Sequence, residues 1–315
     1  MKDQIITKKI LNWYDLNKRL LPWRKNVSQS KRHYYTLVSE FMLQQTQVVT
    51  VIPYFNRFIN KIPNLKNLSK IQDTELIKLW EGLGYYSRVK NLKKTAKIII
   101  NKYHGKIPNN YEDLISLPGI GNYTAYAMLA IGFNKSYIPL DGNIERVLKR
   151  YLYLKKVKEI QKDNLIQKKS IFGISSRSSD YAQALMELGA MICKPKNPEC
   201  SECPIAKGCK SYKKKDFNLA KITKKNKDKY FILKVYKKNQ KYLLVKNTRF
   251  NFLKNLAIFP MEELSNPKNF NENLNFKMSN MNMNIKIQYL KNVKRFPSSY
   301  WFDKRKLDNY MLPTF

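Results

Sequence analysis

All four cysteines of this 315-residue chain lie between residues 193 and 209. They are Cys193, Cys200, Cys203 and Cys209, with the spacing C-x6-C-x2-C-x5-C. Thiolates are soft ligands, and four of them around one centre suit an iron–sulfur cluster or a zinc ion. Zinc ribbons combine two separated C-x2-C knuckles, and this stretch has one, so the spacing favours a loop around a single cubane. Ordinary buried cysteines would be scattered through a core.

The length of the chain and its lack of long apolar runs narrow its class. The chain is long enough for about two domains with a sizeable core. Its N-terminus has no apolar signal segment, and no run of about 18 apolar residues is present to span a membrane. We therefore expect a cytoplasmic, nucleoid-associated monomer that does not bind membranes. In that compartment cysteines bind metal instead of forming disulfides.

The formal net charge of +37 favours a polyanionic partner, because a field of that sign attracts nucleic acid. A solvated lysine-rich surface is the alternative interpretation, since lysine is abundant throughout the chain. A basic membrane-surface protein would need an amphipathic basic helix with a clean apolar face, and none stands out. Charge alone leaves nucleic-acid binding and a plain basic surface both open.

The pattern of apolar residues changes near residue 212. Before it, apolar residues recur at helical spacing in the stretches 5–13, 39–58, 76–80, 111–117, 123–133, 144–154 and 181–192. After it come a basic run at 213–229, interpreted as a linker, and β-rich stretches at 230–236, 241–245 and 285–289. No structure is assigned to the stretch 266–284, which is rich in Asn and Met. The sequence predicts a mainly α protein with a smaller C-terminal domain that contains strands.

A glycine-containing turn, Leu117-Pro118-Gly119-Ile120-Gly121, separates two of the helical stretches. Gly119 and Gly121 allow backbone angles that other residues resist, and they leave N–H groups uncovered beside the next helix. Such a turn suits a phosphate group, although an ordinary helix–turn–helix corner is the alternative. With the cysteine loop downstream, the turn resembles the helix-hairpin-helix element of DNA repair glycosylases.

Taken together, these stretches resemble the MutY-type adenine DNA glycosylases of the endonuclease III superfamily. The resemblance is close over residues 8–212 and weak beyond. The matching stretches are Leu-Pro-Trp-Arg at 21–24, Ser-Glu-Phe-Met-Leu-Gln-Gln-Thr-Gln at 39–47, Trp-Glu-Gly-Leu-Gly-Tyr-Tyr at 80–86, residues 117–124, Pro-Leu-Asp-Gly-Asn at 139–143 and Glu-Leu-Gly-Ala at 187–190.

The resemblance implies a two-module helical glycosylase core over residues 1–212, with the helix-hairpin-helix at 111–133 and an iron–sulfur loop at 193–209. A basic linker at 213–229 and a shortened α+β domain at 230–315, similar to Nudix hydrolases, would complete the chain. The resemblance implies one [4Fe–4S] cluster per chain on the four cysteines. The cluster would shape a basic loop that contacts the DNA backbone through Lys194, Lys196, Lys207 and Lys210.

Two carboxylates carry the implied chemistry. Releasing adenine requires protonation of the base and an anion near the developing sugar cation. Glu40 lies in an apolar stretch where a carboxyl can keep its proton near neutral pH, and the resemblance assigns it protonation of adenine N7. Without the resemblance, the sequence favours a glutamate on a helix surface. Without the resemblance, Asp141 is interpreted as a turn residue or a helix N-cap. The resemblance implies that it is the anion that stabilises the sugar cation.

Two further residues refine this expectation. Relatives that also cut the strand carry a lysine at the position of Tyr123, where its amine forms a Schiff base. A phenol cannot form that imine, so we expect a monofunctional glycosylase. Packing in the second hairpin helix is the alternative role of Tyr123. The resemblance implies that Asn143 orients Asp141 or the attacking water.

The adenine must leave the duplex before it can react. By resemblance, Gln45 and Tyr85 match positions that wedge into the base stack, and Arg24 and Gln183 match positions near the extruded adenine. The hairpin residues Pro118, Gly119, Ile120 and Gly121 would bind the DNA backbone. Taken singly, the four residues Arg24, Gln45, Tyr85 and Gln183 are more typical of surface or core filling.

The C-terminal recognition loop departs from the family pattern. The expected Phe-Ser-His corresponds best to Phe-Pro-Ser-Ser-Tyr at 296–300, where Ser298 is retained and Ser299 occupies the histidine position. The expected upstream Trp-Gly-Gly-Leu is replaced by Leu-Lys-Asn-Leu at 253–256. We therefore expect double-stranded DNA with A:8-oxoguanine or A:G mispairs as the partner, with a weakened preference for 8-oxoguanine.

Two other functions remain as alternatives. An endonuclease III-like pyrimidine glycosylase and abasic-site lyase is opposed by Tyr123, which stands where the lyase lysine would be. A non-catalytic DNA-binding or redox protein on a decayed repair fold is opposed by the presence of both Glu40 and Asp141.

Overall fold

The chain folds into two compact units, residues 1–221 and 222–315. The computed structural model describes residues 2–155, 176–218, 226–254, 256–265, 267, 270–272, 274–278, 281–292, 296–303 and 305. No helix within these ranges is long and apolar enough to cross a membrane.

The N-terminal unit is helical. Its α-helices are α1 (Lys2–Asn17), α2 (Gln29–Leu43), α3 (Val48–Lys61), α4 (Leu65–Lys70), α5 (Asp73–Trp80), α6 (Ser87–Lys102), α7 (Tyr111–Ile115), α8 (Asn122–Ala127), α9 (Gly142–Leu152), α10 (Ser178–Glu187) and α11 (Lys210–Lys213). A π-helical turn prolongs α8 over Met128–Gly132, and another prolongs α10 over Leu188–Ile192. A single 3-10 turn, Pro22–Arg24, stands between α1 and α2.

Apolar spacing explains where these helices pack. In α9 the residues Ile144, Val147 and Leu148 recur at intervals of three and four, and all three are buried. They join α1 and α10 in one hydrophobic cluster that also contains Ile10 and Leu185. Residues near the start of the unit therefore pack against residues near its end.

The structure divides the predicted helical stretch 39–58 between two helices. Helix α2 ends at Leu43 and α3 begins at Val48, and Gln45 between them has a φ of 59°. A left-handed residue cannot continue a right-handed helix, so the chain must turn here. Residues 44–47 are Gln-Gln-Thr-Gln and contain no Gly or Pro, so the sequence does not mark the turn.

The C-terminal unit is built on a mixed seven-stranded sheet. Its strands are β1 (Lys227–Lys238), β2 (Lys241–Lys246), β3 (Ala257–Ile258), β4 (Met261–Leu264), β5 (Leu274–Met278), β6 (Met281–Leu290) and β7 (Ser299–Asp303). Strand β1 runs parallel to β6 and antiparallel to β2 and β4, while β2 also pairs with β3 and β7 and β6 with β5. Phe231, Met283 and Ile285 are buried in its core.

Two sequence interpretations of the C-terminal half need correction. Strand β1 begins at Lys227, inside the predicted linker 213–229, and Asp216 at the other end accepts hydrogen bonds from Tyr153 and Lys155. The stretch left without structure, 266–284, contributes β5 and the start of β6. Pairing with a neighbouring strand outweighs the weak strand preference of Asn and Lys.

Candidate active site

A cavity of about 640 Å³ in the N-terminal unit brings together predicted site residues that are far apart in the chain. It lies among the C-terminal end of α2, the turn Pro22–Arg24, α8, the start of α9 and α10. Its lining includes Arg24, Glu40, Gln45, Tyr123, Asp141, Asn143 and Gln183. Tyr85, the hairpin turn and the cysteines do not line it.

Glu40 faces this cavity from α2 and is only 5% exposed. Burial raises the pKa of Glu40 to about 7; a hydrogen bond from Tyr123 opposes that shift and the nearby Asp141 carboxyl adds to it. Its Oε2 atom is buried and has no hydrogen-bond partner among the described residues. A buried polar atom without a partner calls for an explanation, and a hydrogen-bonding ligand in this cavity would provide one.

Asp141 is the N-cap of α9 and also lines the cavity. Its Oδ1 accepts the backbone N–H of Ile144 at 2.7 Å, and its Oδ2 accepts Nδ2 of Asn143 at 3.0 Å. Burial raises the pKa of Asp141, and these hydrogen bonds oppose that shift because they favour the charged form. Asp141 therefore both caps α9 and lines the cavity.

The half-buried Tyr123 is paired with the buried Glu40. Burial raises the pKa of Tyr123 well above its usual value, and the carboxyl groups of Glu40 and Asp141 add to this. The phenol therefore stays protonated and donates its hydrogen bond to Glu40.

Glu187 also lines the cavity, although the sequence assigns it no role beyond its place in the Glu-Leu-Gly-Ala stretch at 187–190. Its side chain is fully buried, and it accepts hydrogen bonds from Nε and Nη2 of Arg19 at 2.7 and 2.9 Å. Nη1 of Arg24 lies 2.8 Å from Oε1, the oxygen that also accepts Nη2 of Arg19. Two guanidinium groups thus compensate a carboxylate that could not be buried alone. Nothing in the local sequence pairs Glu187 with residues 19 and 24.

Gln183 and Gln45 occupy the cavity in different ways. Gln183 is buried on α10, and its amide donates back to the carbonyl of Ser179 at 3.1 Å. Gln45 is exposed on the turn after α2, with its left-handed φ of 59°. Tyr85 has a similar conformation, with a φ of 49°, and is 48% exposed outside the cavity lining.

The hairpin turn between α7 and α8 requires a glycine. Gly119 has a φ of 80°, and a Cβ atom there would come within 2.8 Å of Phe41 and 2.9 Å of Asn91. The Gly119 carbonyl accepts Nε2 of Gln44 at 3.2 Å, and the Pro118 carbonyl accepts Oγ1 of Thr95 at 2.8 Å. Ile120 is buried, while Gly121 is exposed as the N-cap of α8.

The four cysteines lie in a loop with two short 3-10 turns, and each thiol is half-buried. Burial raises the pKa of Cys203 to about 12, and the other three cysteines add to this electrostatically. The described residues contain no group of three or more His, Cys, Asp or Glu side chains close enough for one metal ion. In an iron–sulfur cluster each thiolate binds a different iron, so its sulfurs stand further apart. A donor set of four neighbouring thiols fits such a cluster.

Two arginines on α9, also missed in the sequence, tie this loop to the cavity wall. Arg146 donates from Nη2 to Oδ1 of Asn143 at 2.8 Å and from Nε to the Cys193 carbonyl at 2.6 Å. Nη1 of the buried Arg150 lies 3.5 Å from Sγ of Cys193 and 2.6 Å from the Lys194 carbonyl. Their spacing of four residues places them on one face of α9, which is the signal that was available.

Ser298 belongs to the C-terminal unit and precedes β7. It is exposed with a φ of 53°, and its carbonyl accepts the backbone N–H of Lys246 at 3.3 Å. Asn255 of the predicted 253–256 stretch lies outside the described residues.

The chain is similar to known DNA repair proteins. Residues 38–169 match the family described as HhH-GPD superfamily base excision DNA repair protein. An adenine DNA glycosylase of Buchnera aphidicola subsp. Schizaphis graminum is 39% identical over 264 residues, which cover 81% of this chain and 74% of that protein. An adenine DNA glycosylase of Buchnera aphidicola subsp. Baizongia pistaciae is 43% identical over 259 residues, which cover 80% of this chain and 72% of that protein. The structure of a thermostable thymine-DNA glycosylase aligns with a TM-score of 0.60 at 28% identity, over 68% of this chain and 97% of that one.

Proposed function

The chain belongs to the adenine DNA glycosylases of the HhH-GPD superfamily, and we propose that it excises adenine mispaired with 8-oxoguanine or guanine in duplex DNA. The observation that carries the mechanism is the contrast between two carboxyl groups on one cavity. Glu40 is buried and one of its oxygens has no hydrogen-bond partner among the described residues, whereas Asp141 is held by two hydrogen bonds. Environments that differ in this way separate an acid from an anion.

Glu40 is the general acid of this proposal. Its raised pKa keeps a proton on the carboxyl near neutral pH, and the unpartnered Oε2 delivers it to N7 of the extruded adenine. Protonation makes adenine a neutral leaving group as the bond to C1′ breaks. The resulting Glu40 carboxylate then accepts a proton from the water that adds to C1′.

Asp141 is the anion that faces the developing sugar cation. The hydrogen bonds from Ile144 and Asn143 hold its carboxylate in one orientation and favour its charged form. Asn143 is in turn fixed by Arg146. Tyr123 supplies a hydrogen bond to Glu40 and no amine, so no imine with the sugar forms and the strand is left uncut.

The remaining predicted residues would bring the adenine to these groups. Gln45 and Tyr85, exposed on their turns, wedge into the base stack, while Arg24 and Gln183 lie against the extruded base. The hairpin residues 118–121 bind the backbone phosphates. The C-terminal unit acts as a Nudix-like module in which the exposed Ser298 faces the opposite base.

The proposed specificity can be tested on a panel of duplexes containing A:8-oxoguanine, A:G, A:T and thymine glycol:A. We expect base release from the first two and none from thymine glycol, with strand breaks after alkali treatment only. Because Ser299 replaces the recognition histidine, single-turnover rates on A:8-oxoguanine and A:G should differ by about tenfold or less.

Three results would contradict parts of this proposal. Breaks without alkali, or a borohydride-trapped complex with DNA, would end the monofunctional assignment. A preference for 8-oxoguanine of several hundredfold would show that the C-terminal unit retains full recognition. Release of thymine glycol with no release of adenine would end the adenine assignment.

We also propose one [4Fe–4S] cluster per monomer, held by Cys193, Cys200, Cys203 and Cys209. When bound, the cluster is a structural brace that fixes the basic loop 193–209 against the DNA backbone. Arg150 stands 3.5 Å from Cys193 and would offset part of the negative charge of the thiolates.

Anaerobic purification should give a brown protein with about four irons per chain. Cys203→Ser should lose most of the iron and unfold at a lower temperature, because the half-buried loop loses its cross-link. Ser201→Ala, on an exposed neighbour, is the matched control and should keep both iron and stability. A colourless wild-type protein that contains one zinc would overturn the assignment.

A further inference from the structure

We propose that Arg88 is a positioning residue for base extrusion, because it joins the turn that carries Gln45 to the turn that carries Tyr85. The inference rests on the proposed function, in which these two side chains enter the base stack. It adds a residue that touches neither DNA nor the cavity: Arg88 is 6% exposed and does not line the site.

The first set of contacts is at the C-terminal end of α2. Nη1 of Arg88 lies 3.3 Å from the carbonyl of Phe41, 2.7 Å from that of Met42 and 2.5 Å from that of Gln44. It lies 3.0 Å from Oγ1 of Thr46. The last carbonyls of a helix have no partner within it, and a cation at this end also interacts favourably with the helix dipole. Arg88 therefore fixes where α2 stops and the Gln45 turn begins.

The second set of contacts is on the turn that precedes α6. Nη2 of Arg88 donates to the carbonyls of Leu83 and Gly84 at 2.9 and 3.1 Å. Its guanidinium carbon is 5.4 Å from the ring centre of Tyr85 and 5.4 Å from that of the buried Trp80. The same cation thus holds both the backbone before Tyr85 and the aromatic ring itself.

Both turns need an external constraint. Gln45 and Tyr85 have left-handed φ values of 59° and 49°, a conformation that costs a residue with a Cβ about 1–2 kcal/mol. The planar guanidinium distributes hydrogen bonds to both turns from two nitrogens. A lysine ammonium has one nitrogen and cannot span the same acceptors. Arg88 therefore sets the separation and direction of the two exposed side chains before DNA arrives.

Preorganisation of this kind should act on extrusion and not on bond cleavage. If the two wedge residues enter the duplex as one unit, their ordering is completed at folding and not during binding. Arg88→Lys keeps the charge but loosens both turns. The penalty should appear only when a stacked, paired adenine has to be displaced.

The first test is amide hydrogen exchange on the full chain without DNA. In Arg88→Lys, amides of 44–47 and 83–86 should exchange at least about tenfold faster, together, while those of α9 stay unchanged. Arg32→Lys, on the exposed face of α2, is the matched control and should alter neither turn. Unchanged exchange in both turns, or loosening of one turn only, would overturn the inference. Because this readout needs no reaction, a wild-type chain that releases no adenine would end the proposed function separately.

The second test separates extrusion from chemistry. Single-turnover adenine release by Arg88→Lys should fall by about 10- to 100-fold on an A:G duplex, and by about threefold or less when the adenine faces an abasic gap and is already unstacked. Combining Arg88→Lys with Tyr85→Ala should be no slower than the slower single variant within about twofold, because both act on one step. Equal losses on the two substrates, or additive losses in the combined variant, would refute the role.

A milder change covers the case in which Arg88→Lys folds poorly. Thr46→Val removes one acceptor of Nη1 and keeps the shape of the side chain. It should slow release from the A:G duplex by about threefold and leave the unstacked substrate unaffected. A rate on A:G equal to that of wild type would count against the inference.

Discussion

Replacing Glu40 with glutamine should lower the single-turnover rate of adenine release by about 10³- to 10⁴-fold. The amide has the same shape but no transferable proton, so adenine would have to leave as an anion. The burial that now raises the pKa of Glu40 would remain in place. The rate is best measured with enzyme in excess over an A:G duplex, so that product release does not mask the chemical step.

The control for this prediction is Glu75→Gln. Glu75 is an exposed glutamate of α5 that pairs with Lys61, so the same chemical change there should leave the rate unaltered. Binding of the Glu40 variant to duplex DNA should also persist. A Glu40→Gln enzyme that releases adenine within about tenfold of the wild-type rate would remove Glu40 from the mechanism.

The pH dependence of the wild-type rate follows from the same carboxyl group. The proton needed for catalysis is lost as pH rises through about 7, the pKa to which burial raises Glu40, so the rate should fall above that pH. On the acid side the rate should fall as Asp141 becomes protonated. The alkaline decline should be absent from the residual activity of Glu40→Gln.

The raised pKa of Glu40 should also make the free energy of unfolding depend on pH. Between pH 4.5 and about 7 the folded chain keeps a proton on Glu40 that the unfolded chain has released. The free energy of unfolding therefore falls as pH rises through this window. Glu40→Gln lacks this term, so its stability relative to wild type should rise by on the order of 3 kcal/mol between the two limits. Urea unfolding at several pH values measures the difference.

Asp141→Asn should lower adenine release by about 10²- to 10³-fold while changing stability little. Asparagine caps a helix about as well as aspartate, so the N–H of Ile144 keeps its acceptor and α9 keeps its start. What is lost is the negative charge beside the sugar cation. The large drop in rate should therefore accompany a change in unfolding free energy of about 1 kcal/mol or less.

A second signature identifies the role of this charge. The Asp141 carboxylate contributes to the raised pKa of Glu40, so its removal should shift the alkaline decline of the rate to lower pH. Asp73→Asn, at the first turn of α5, is the matched control and should leave both rate and pH profile unchanged. If Asp141→Asn loses stability in proportion to activity, its role is that of a helix cap alone.

Sequence patterns could predict those parts of the site that lie in short motifs. Glu40, Asp141 and the hairpin glycines sit in recognisable local contexts, and the cysteines stand out by spacing alone. Their convergence could be inferred only through the family resemblance, because periodicity says nothing about which helices meet. The structure brings Glu40 and Asp141 to the same cavity.

The residues that escaped prediction act across long chain separations. Arg88 ends α2 from a different helix, so the apolar pattern of 39–58 gave no sign of the turn that it stabilises. The burial of Glu187 is explained by Arg19 and Arg24, and the place of Arg146 by its hydrogen bonds to Asn143 and to the Cys193 carbonyl. Strands β5 and β6 likewise gain their order from pairing, β5 with β6 and β6 with both β5 and β1.

The ion pairs between Glu187 and the two arginines can form only late in the synthesis of the chain. Arg19 and Arg24 emerge early in synthesis, whereas their buried counter-charge emerges some 160 residues later. Contacts of such sequence separation close late and slowly. The cavity that Glu187, Arg19 and Arg24 line therefore cannot be completed until α10 has been made.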